Sequence, residues 1–404
     1  MGRVSLRSIF AGLLAAALVA APAGAATLRT LYQFSGATDG SIPAAPVVRD
    51  KAGNIYGTTS AGGTYGRGVV YRVTHEGAES VLYSFRGGSD GGTPNMPLSL
   101  DSAGNLYGTT SVGGDKTECK CGVVFKVTPE GDYTVLKRFQ GGGRGATPQG
   151  APVVDADGKV YGTTLTGGAG QFNAGMVYQI SPGGKETNLH DFSKLANNGY
   201  QPAYGLTKDA AGNMYGTTMF GGAYGGGVIY KISAADKSFT ILHQVGAGPD
   251  GATSRGGPSG ANLPLVITNG ELYGSMQTGG PSTACGSRNG FPVGCGLIYS
   301  LTPRGKETIL YSFDSPSTTG YGPVGQLARD KVQNLFGIST GNCGGNGCST
   351  VIFKLTPGGT GSTFYSFGLQ LGVTGIAIDD KGRLYGATSN GGTHGFGSVF
   401  EIDP

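Results

Sequence analysis

Charge is scarce in this sequence: 13% of its 404 residues are charged, and 29 lysines and arginines nearly balance 25 aspartates and glutamates. With no basic run and no Lys/Arg-rich stripe, the electrostatic footprint of nucleic-acid binding is missing, and no nucleic-acid partner is expected. Histidine occurs four times and tryptophan not at all. After residue 25 no segment is apolar enough to cross a bilayer core of about 30 Å, so the mature chain should hold no transmembrane segment. Glycine is what the sequence has in excess: 79 residues, against a usual share of about 7%. The glycines do not recur at every third position and proline stops at 20, which excludes collagen. Disorder is excluded as well, since 38% hydrophobic residues with 20 Tyr and 17 Phe can build a sizeable core. A helical fold fails on energy, because each glycine costs a helix roughly 1 kcal/mol. A fold with very many tight turns remains.

The N-terminus reads differently. Arg3 and Arg7 precede an apolar run from Ile9 to Ala21, followed by Ala23-Gly24-Ala25. A basic start, 13 apolar residues and an A-x-A site predict a signal peptide over residues 1–25, removed near Ala25. The mature protein is then secreted or periplasmic, and its net charge falls from +4 to +2 with the loss of the two arginines.

Beyond it the chain repeats. Asn54-Ile55-Tyr56-Gly57-Thr58-Thr59 returns as Asn105-Leu106-Tyr107-Gly108-Thr109-Thr110, as Tyr161-Gly162-Thr163-Thr164 and as Tyr215-Gly216-Thr217-Thr218. Weaker copies are Tyr273-Gly274-Ser275, Phe336-Gly337-Ile338 and Tyr385-Gly386-Ala387-Thr388. The aromatic positions are spaced by 51, 54, 54, 58, 63 and 49 residues, giving seven units of about 54. Each unit reads as four short strands: Pro46-Val47-Val48, the Y-G-T-T segment, Val69-Val70-Tyr71-Arg72-Val73, and Val81-Leu82-Tyr83-Ser84-Phe85. Alternating β-branched and aromatic residues bounded by Gly and Asn turns are strand signals. Four strands in 50-odd residues make a propeller blade.

The chain ends agree. The seventh unit stops after its third strand, Ser398-Val399-Phe400-Glu401-Ile402, while residues 26–404 begin with an orphan fourth strand, Leu31-Tyr32-Gln33-Phe34. An N-terminal strand completing the last blade closes the ring and removes exposed edges. The expectation is an all-β, seven-bladed β-propeller in a single domain, residues 26–404. A β-solenoid or linear array would not explain why the missing strand sits at the opposite terminus.

The Y-G-T-T-x-x-G-G core, the V-V-F-K-V-T-P-E-G run from Val123 to Gly131, L-Y-S-F at Leu310–Phe313 and Asp90-Gly91-Gly92-Thr93-Pro94 together resemble the extracellular GloVer tandem-repeat (choice-of-anchor) family. The resemblance covers essentially the whole mature chain. It brings no catalytic residues to carry over. Its members often carry a C-terminal surface-sorting segment, whereas this sequence ends at Asp403-Pro404, so surface anchoring is not expected. Lack of tryptophan separates the chain from Trp-Asp, kelch and quinoprotein propellers.

Strands alternate in direction, so connections separate onto two faces. First-to-second and third-to-fourth turns are short and uniform. Second-to-third and interblade loops, on the other face, vary and carry every cysteine, and variable loops on a rigid scaffold are where binding sites concentrate. Ligand-binding candidates there are Tyr65, Phe172, Tyr224 and Phe291 in Gly-rich loops, Asp39, Asp90, Asp250 and Tyr321 between blades, and His394 in a long loop. Exposed rings would stack on sugar faces while carboxylates bond hydroxyls. The competing reading tucks the aromatics between blades and makes Asp90 a turn former.

Six cysteines form three close sets, Cys119 with Cys121, Cys285 with Cys295, and Cys343 with Cys348, read as disulfides within single loops. The first needs a turn at Lys120. No metal site or cofactor is expected, because no histidine neighbours these pairs. Asp155-Ala156-Asp157-Gly158 resembles the opening of a calcium loop, but its equivalents Asp50–Gly53 and Asp209–Gly212 identify it as the first hairpin turn. The second Thr of each motif (Thr59, Thr110, Thr164, Thr218, Thr388) is read as bonding between strands. First-strand residues Val47, Leu98, Val153, Leu206 and Ile376 suggest an apolar, narrow channel. These readings favour a monomeric, non-enzymatic secreted propeller that binds an extracellular glycan or protein. The alternatives are a lyase or glycoside hydrolase using the same face, with His394 and Asp90 converging, and a structural cell-surface or matrix protein.

Overall fold

The structure, a computed structural model, describes residues 26–404 except 115–118, 120, 171, 195–196, 247–265, 269, 283–284, 286, 289–290, 293, 315–318, 345–346 and 370. The expected signal peptide lies outside the described residues. Blade 3 shows the plan: Ala146–Val154, Val160–Thr166, Met176–Ile180 and Glu186–Asp191 form an antiparallel meander. Seven such four-stranded sheets stand in a ring, the expected seven-bladed β-propeller. In blade 1 an extra segment, Ser41–Pro43, pairs with the far end of the second strand.

The seventh blade is completed from the other end of the chain. Strand β1 (Thr27–Gln33) pairs antiparallel with Ser398–Asp403, from Thr27 opposite Asp403 to Gln33 opposite Ser398. Arg29 reinforces the closure through Glu401, at 2.5 Å, and Glu401 also accepts from Arg383 at 2.9 Å.

The repeat motif has a steric cause. Its glycine faces the aromatic of the third strand across the ladder: Gly57 opposite Tyr71, Gly108 opposite Phe125, Gly162 opposite Tyr178, Gly216 opposite Tyr230, and so to Gly386 opposite Phe400. A Cβ on any of these glycines would stand less than 3.0 Å from the ring or hydroxyl of its partner. The ring lies over the bare backbone, so the glycine of one strand and the aromatic of the next are a single packing device. The hairpin aspartates have an equally local cause. Asp50 accepts from the Asn54 backbone and side chain and from the Tyr56 hydroxyl, and Asp101 and Asp209 repeat the set. Asp155 bonds the Lys159 N–H and the Tyr161 hydroxyl in the same way, so the calcium-like run is a turn. The second Thr bonds across strands at Thr59, Thr110, Thr218 and Thr388. Thr164 departs from that expectation, its hydroxyl being buried without a partner.

The core is not one mass but seven, each between adjacent blades. Leu31, Phe34, Tyr71 and Tyr385, for example, join blade 7 to blade 1. Outside these cores the outer strands meet through pairs that differ from interface to interface. Tyr83 stacks on Tyr133 at 3.8 Å and His190 on Phe239 at 3.6 Å. Lys137 pairs with Glu186, and His243 approaches Glu307 at 3.8 Å. Burial pushes the His190 pKa down to about 4, which keeps the stacked imidazole neutral.

Glu79, at the corresponding place between blades 7 and 1, has no cation among the described residues. Its Oε1 is buried and unpartnered, and burial, with the Asp39 carboxylate adding repulsion, pushes its pKa up to about 7. Because the folded pKa exceeds the unfolded one, the favourable state is the protonated acid. That contribution is complete below the unfolded value and is lost as pH rises through 7. Glu79→Gln should therefore melt higher than the parent at pH 8 and together with it at pH 4. Thermal unfolding at the two pH values checks this, and equal shifts at both would refute it.

Candidate functional site

The second-to-third loops and the interblade loops share one face of the ring. In blade 1 the loop turns where the Gly66 N–H donates to the Gly63 carbonyl, 3.0 Å, and the turn recurs from Gly225 to Gly222 and from Gly395 to Gly392. Gly66, Gly225 and Gly395 have φ of 67°, 84° and 79°, the left-handed region that glycine alone enters freely. Tyr65, Tyr224 and His394 each stand just before that glycine, one position in blades 1, 4 and 7. The fourth strand ties each turn down. Ser84 Oγ accepts the Thr64 N–H at 2.9 Å, Gln244 Oε1 that of Ala223 at 2.8 Å, and Gln33 Oε1 that of Thr393 at 2.5 Å. In blade 3 Asp191 Oδ1 holds the Ala169 N–H at 2.9 Å, in the longer loop that carries Phe172.

The rings ahead of these anchors point to solvent. Tyr65 is 50%, Tyr224 57% and Phe172 59% exposed, and His394 is exposed as well. Ile42, Val112 and Phe396 are exposed on the same face, so six of the nine large exposed hydrophobic side chains among the described residues gather there. Arg86 sits 5.4 Å from the Tyr65 ring and Lys194 6.0 Å from that of Phe172. The arrangement is rigid apolar tips on adjacent blades, Tyr65 beside the loop of His394 and Phe172 beside that of Tyr224.

The interblade candidates are placed otherwise. Asp39 accepts from the Tyr32 hydroxyl at 2.9 Å and from the Ser35 backbone and hydroxyl at 2.6 Å. Burial opposes its ionisation, yet those hydrogen bonds hold its carboxyl below the usual range. Asp90 repeats the latch with Tyr83 and the backbone of Arg86. Asn198 with His190 and Thr319 with Tyr311 fill the same role in blades 3 and 5. No hydrogen bond or ion pair joins Asp90 to His394. Tyr321 packs half-buried against the core between blades 5 and 6. Asp250 and the Phe291 side chain lie outside the described residues. Cys119 is bonded to Cys121 and Cys285 to Cys295, with Cα atoms 5.2 and 5.1 Å apart. Cys348 is also disulfide-bonded, opposite Cys343 in the hairpin register. Cys121 and Cys295 are buried in interblade cores, so those bridges root their loops in the packing.

The channel differs from the apolar, narrow one expected. Val47, Leu98 and Ile376 are buried in interblade clusters, and Val153 and Leu206 pack against another. They face neighbouring blades, not the axis. What meets the axis among the described residues is the lead-in to, or the opening of, the first strand in six blades, with Gln277 added from the end of the second strand in blade 5. It encloses a cavity of about 340 Å³ walled by Pro46, Met96, Pro97 and Val324 and by the polar Asn95, Tyr204, Gln277, Gln326 and Thr374. No charged side chain among the described residues lines it. Burial raises the Tyr204 hydroxyl pKa. The sequence did hold a signal for these residues. After the loop proline (Pro43, Pro94, Pro148, Pro202), ahead of the first strand or, in blade 3, inside it, the repeat breaks: Ala44-Ala45-Pro46, Asn95-Met96-Pro97, Gln149-Gly150-Ala151, Ala203-Tyr204-Gly205. Among the described residues no three His, Cys, Asp or Glu side chains cluster so as to hold a metal.

Fold and face together define a seven-bladed repeat propeller with one loop-bearing apolar rim and an axial cavity. The chain belongs to the Gloeobacter/Verrucomicrobia repeat family, whose model matches residues 19–207, 116–286 and 169–373. No curated protein matches it. Among solved structures it is similar to the extracellular domain of a hybrid two-component system of B. thetaiotaomicron, at 10% identity and a TM-score of 0.55 over 92% of this chain. It spans only 39% of that chain's length, and likewise 39% of the extracellular domain of a one-component system of the same organism, at 11% identity and a TM-score of 0.53. Oligogalacturonate lyase in complex with manganese is matched at 11% identity and a TM-score of 0.50, over 93% of this chain and 90% of that one. Likeness at this identity shows the fold alone. No helix among the described residues is long and apolar enough to cross a membrane.

Proposed function

We propose that the mature protein is a secreted or periplasmic binding propeller whose loop face engages an extracellular ligand, foremost a glycan. The observation that carries this reading is the repeated anchor. A fourth-strand side chain bonds the loop backbone immediately before an exposed Tyr65, Tyr224 or His394. Holding an apolar ring in water costs solvation and gains nothing for folding, whereas a ring fixed before binding loses little entropy when it stacks on a partner. Tyr and Phe suit pyranose faces because their CH surfaces are apolar, and Arg86 and Lys194 supply donors beside the rings. Disulfide-rooted loops accord with an oxidising compartment.

The test is a screen of the mature protein against glycan arrays and cell-envelope fractions, followed by Tyr65→Ala, Phe172→Ala and Tyr224→Ala together. All three side chains are at least half exposed, so the melting temperature should hardly move. Affinity should fall by about 2 kcal/mol or more, roughly thirtyfold, as for truncated aromatic hot spots. Binding to a protein partner would redirect the reading, and binding indifferent to the triple variant would end it.

A further inference from the structure

The rim leaves the axial cavity unused, and its chemistry is distinctive. Four of its polar side chains, Asn95, Tyr204, Gln277 and Gln326, come from four different blades and so stand around the circumference. None of the four hydrogen-bonds another side chain or backbone group among the described residues. The Asn95 Oδ1 is buried with no partner, a state native proteins seldom keep without a reason. Between these groups the wall is proline, methionine and valine. At about 340 Å³ the space lies at the small end of ligand pockets.

We propose that the axial cavity is a binding site for a neutral sugar, one or two pyranose units in size. A pyranose presents hydroxyls around its edge and apolar CH surface on its faces, which matches amides and a phenol spread around an aliphatic ring. Amides both donate and accept, as hydroxyls require. Among the described residues no Lys, Arg, His, Asp or Glu lines it, and that sets the selectivity. A uronic acid would bring a carboxylate into the cavity with no cation to meet it, and an unpaired buried charge is strongly disfavoured. Phosphorylated sugars are disfavoured for the same reason. This site is independent of the rim: either can fail while the other stands.

The experiment is calorimetric titration of the full mature protein with glucose, galactose, maltose and cellobiose against glucuronate and galacturonate. In parallel, the methyl resonance of Met96 is followed in methionine-labelled protein. At least one neutral sugar should bind and shift Met96, with each uronate at least tenfold weaker. Asn95→Leu with Gln326→Leu should weaken that binding at least tenfold. Gln277→Trp, at an exposed position where folding is not at risk, should block it by filling the cavity. Tyr65→Ala with Tyr224→Ala should leave it unchanged, which separates this site from the rim. Silence toward every neutral sugar, equal binding of uronates, or undiminished affinity in the Gln277→Trp protein would overturn the assignment.

Discussion

A chain that begins at Ser35 is expected to lose its cooperative unfolding transition. Without β1, blade 7 keeps three strands and Ser398–Asp403 becomes an open edge. The loss includes Phe34, fully buried, and Leu31, 8% exposed, in the core that joins blade 7 to blade 1. Truncating side chains of these two types costs roughly 5–10 kcal/mol together, as much as the whole stability of many domains. Glu401, 1% exposed, also loses Arg29, one of its two cations. The decisive control restores the strand on the other terminus. Thr27 lies opposite Asp403, so residues 26–35 appended after Pro404 through an Asn-Gly turn would continue Ser398–Asp403 as a hairpin. That rearranged chain should melt cooperatively and at least as high as the parent. Calorimetry on the three proteins tests it, and a truncated chain that melts like the parent would show that closure contributes little.

The second large effect comes from one atom group. Valine is among the best strand formers, yet Gly162→Val should destabilise the protein by about 3 kcal/mol or more. The ring of Tyr178 lies on Gly162 and is fully buried, so it has nowhere to go. Overpacking of a tight core commonly costs about 1–3 kcal/mol, and a branched side chain against an immovable ring belongs at the upper end. The explanation makes a stricter demand than the single loss. Tyr178→Ala in the same chain should recover part of it, giving a favourable coupling of roughly 0.5–3 kcal/mol between the two sites. Denaturant unfolding of the two single variants and the double measures it. Strict additivity would mean that the ring and the glycine are not one device.

What could be read beforehand follows the range of the forces involved. The blade count, the closing strand and the hairpin turns are local or periodic properties. Tyr56, Asn54 and Asp50 lie within six positions of each other, and the orphan Leu31–Phe34 matches Leu82–Phe85 and Leu310–Phe313. Tyr65, Tyr224 and His394 were singled out one by one as loop residues. That they are the same position, held by Ser84, Gln244 and Gln33 from about 20 residues downstream or from the opposite end of the chain, is a contact no motif records. Asp90 is legible as a turn former, but its partner, the outer-strand Tyr83, is not, nor is the matching latch of Asp39 on Tyr32.

The channel shows the limit most clearly. Val47 and Leu98 belong to a first-strand position that is mainly apolar across the repeat, yet alternation along a strand does not say which side meets the axis and which meets the next blade. Only the stacking of seven sheets decides that, and it sends those residues into the interblade cores. The same stacking brings Asn95, Tyr204, Gln277 and Gln326, dispersed over more than 200 residues of chain, around one cavity. By itself the sequence determined a closed ring of seven glycine-turned blades, because repetition, turn chemistry and strand alternation act over a few residues. Tertiary structure decided where that ring can hold a ligand, because convergence on an axis is a property of the assembled blades.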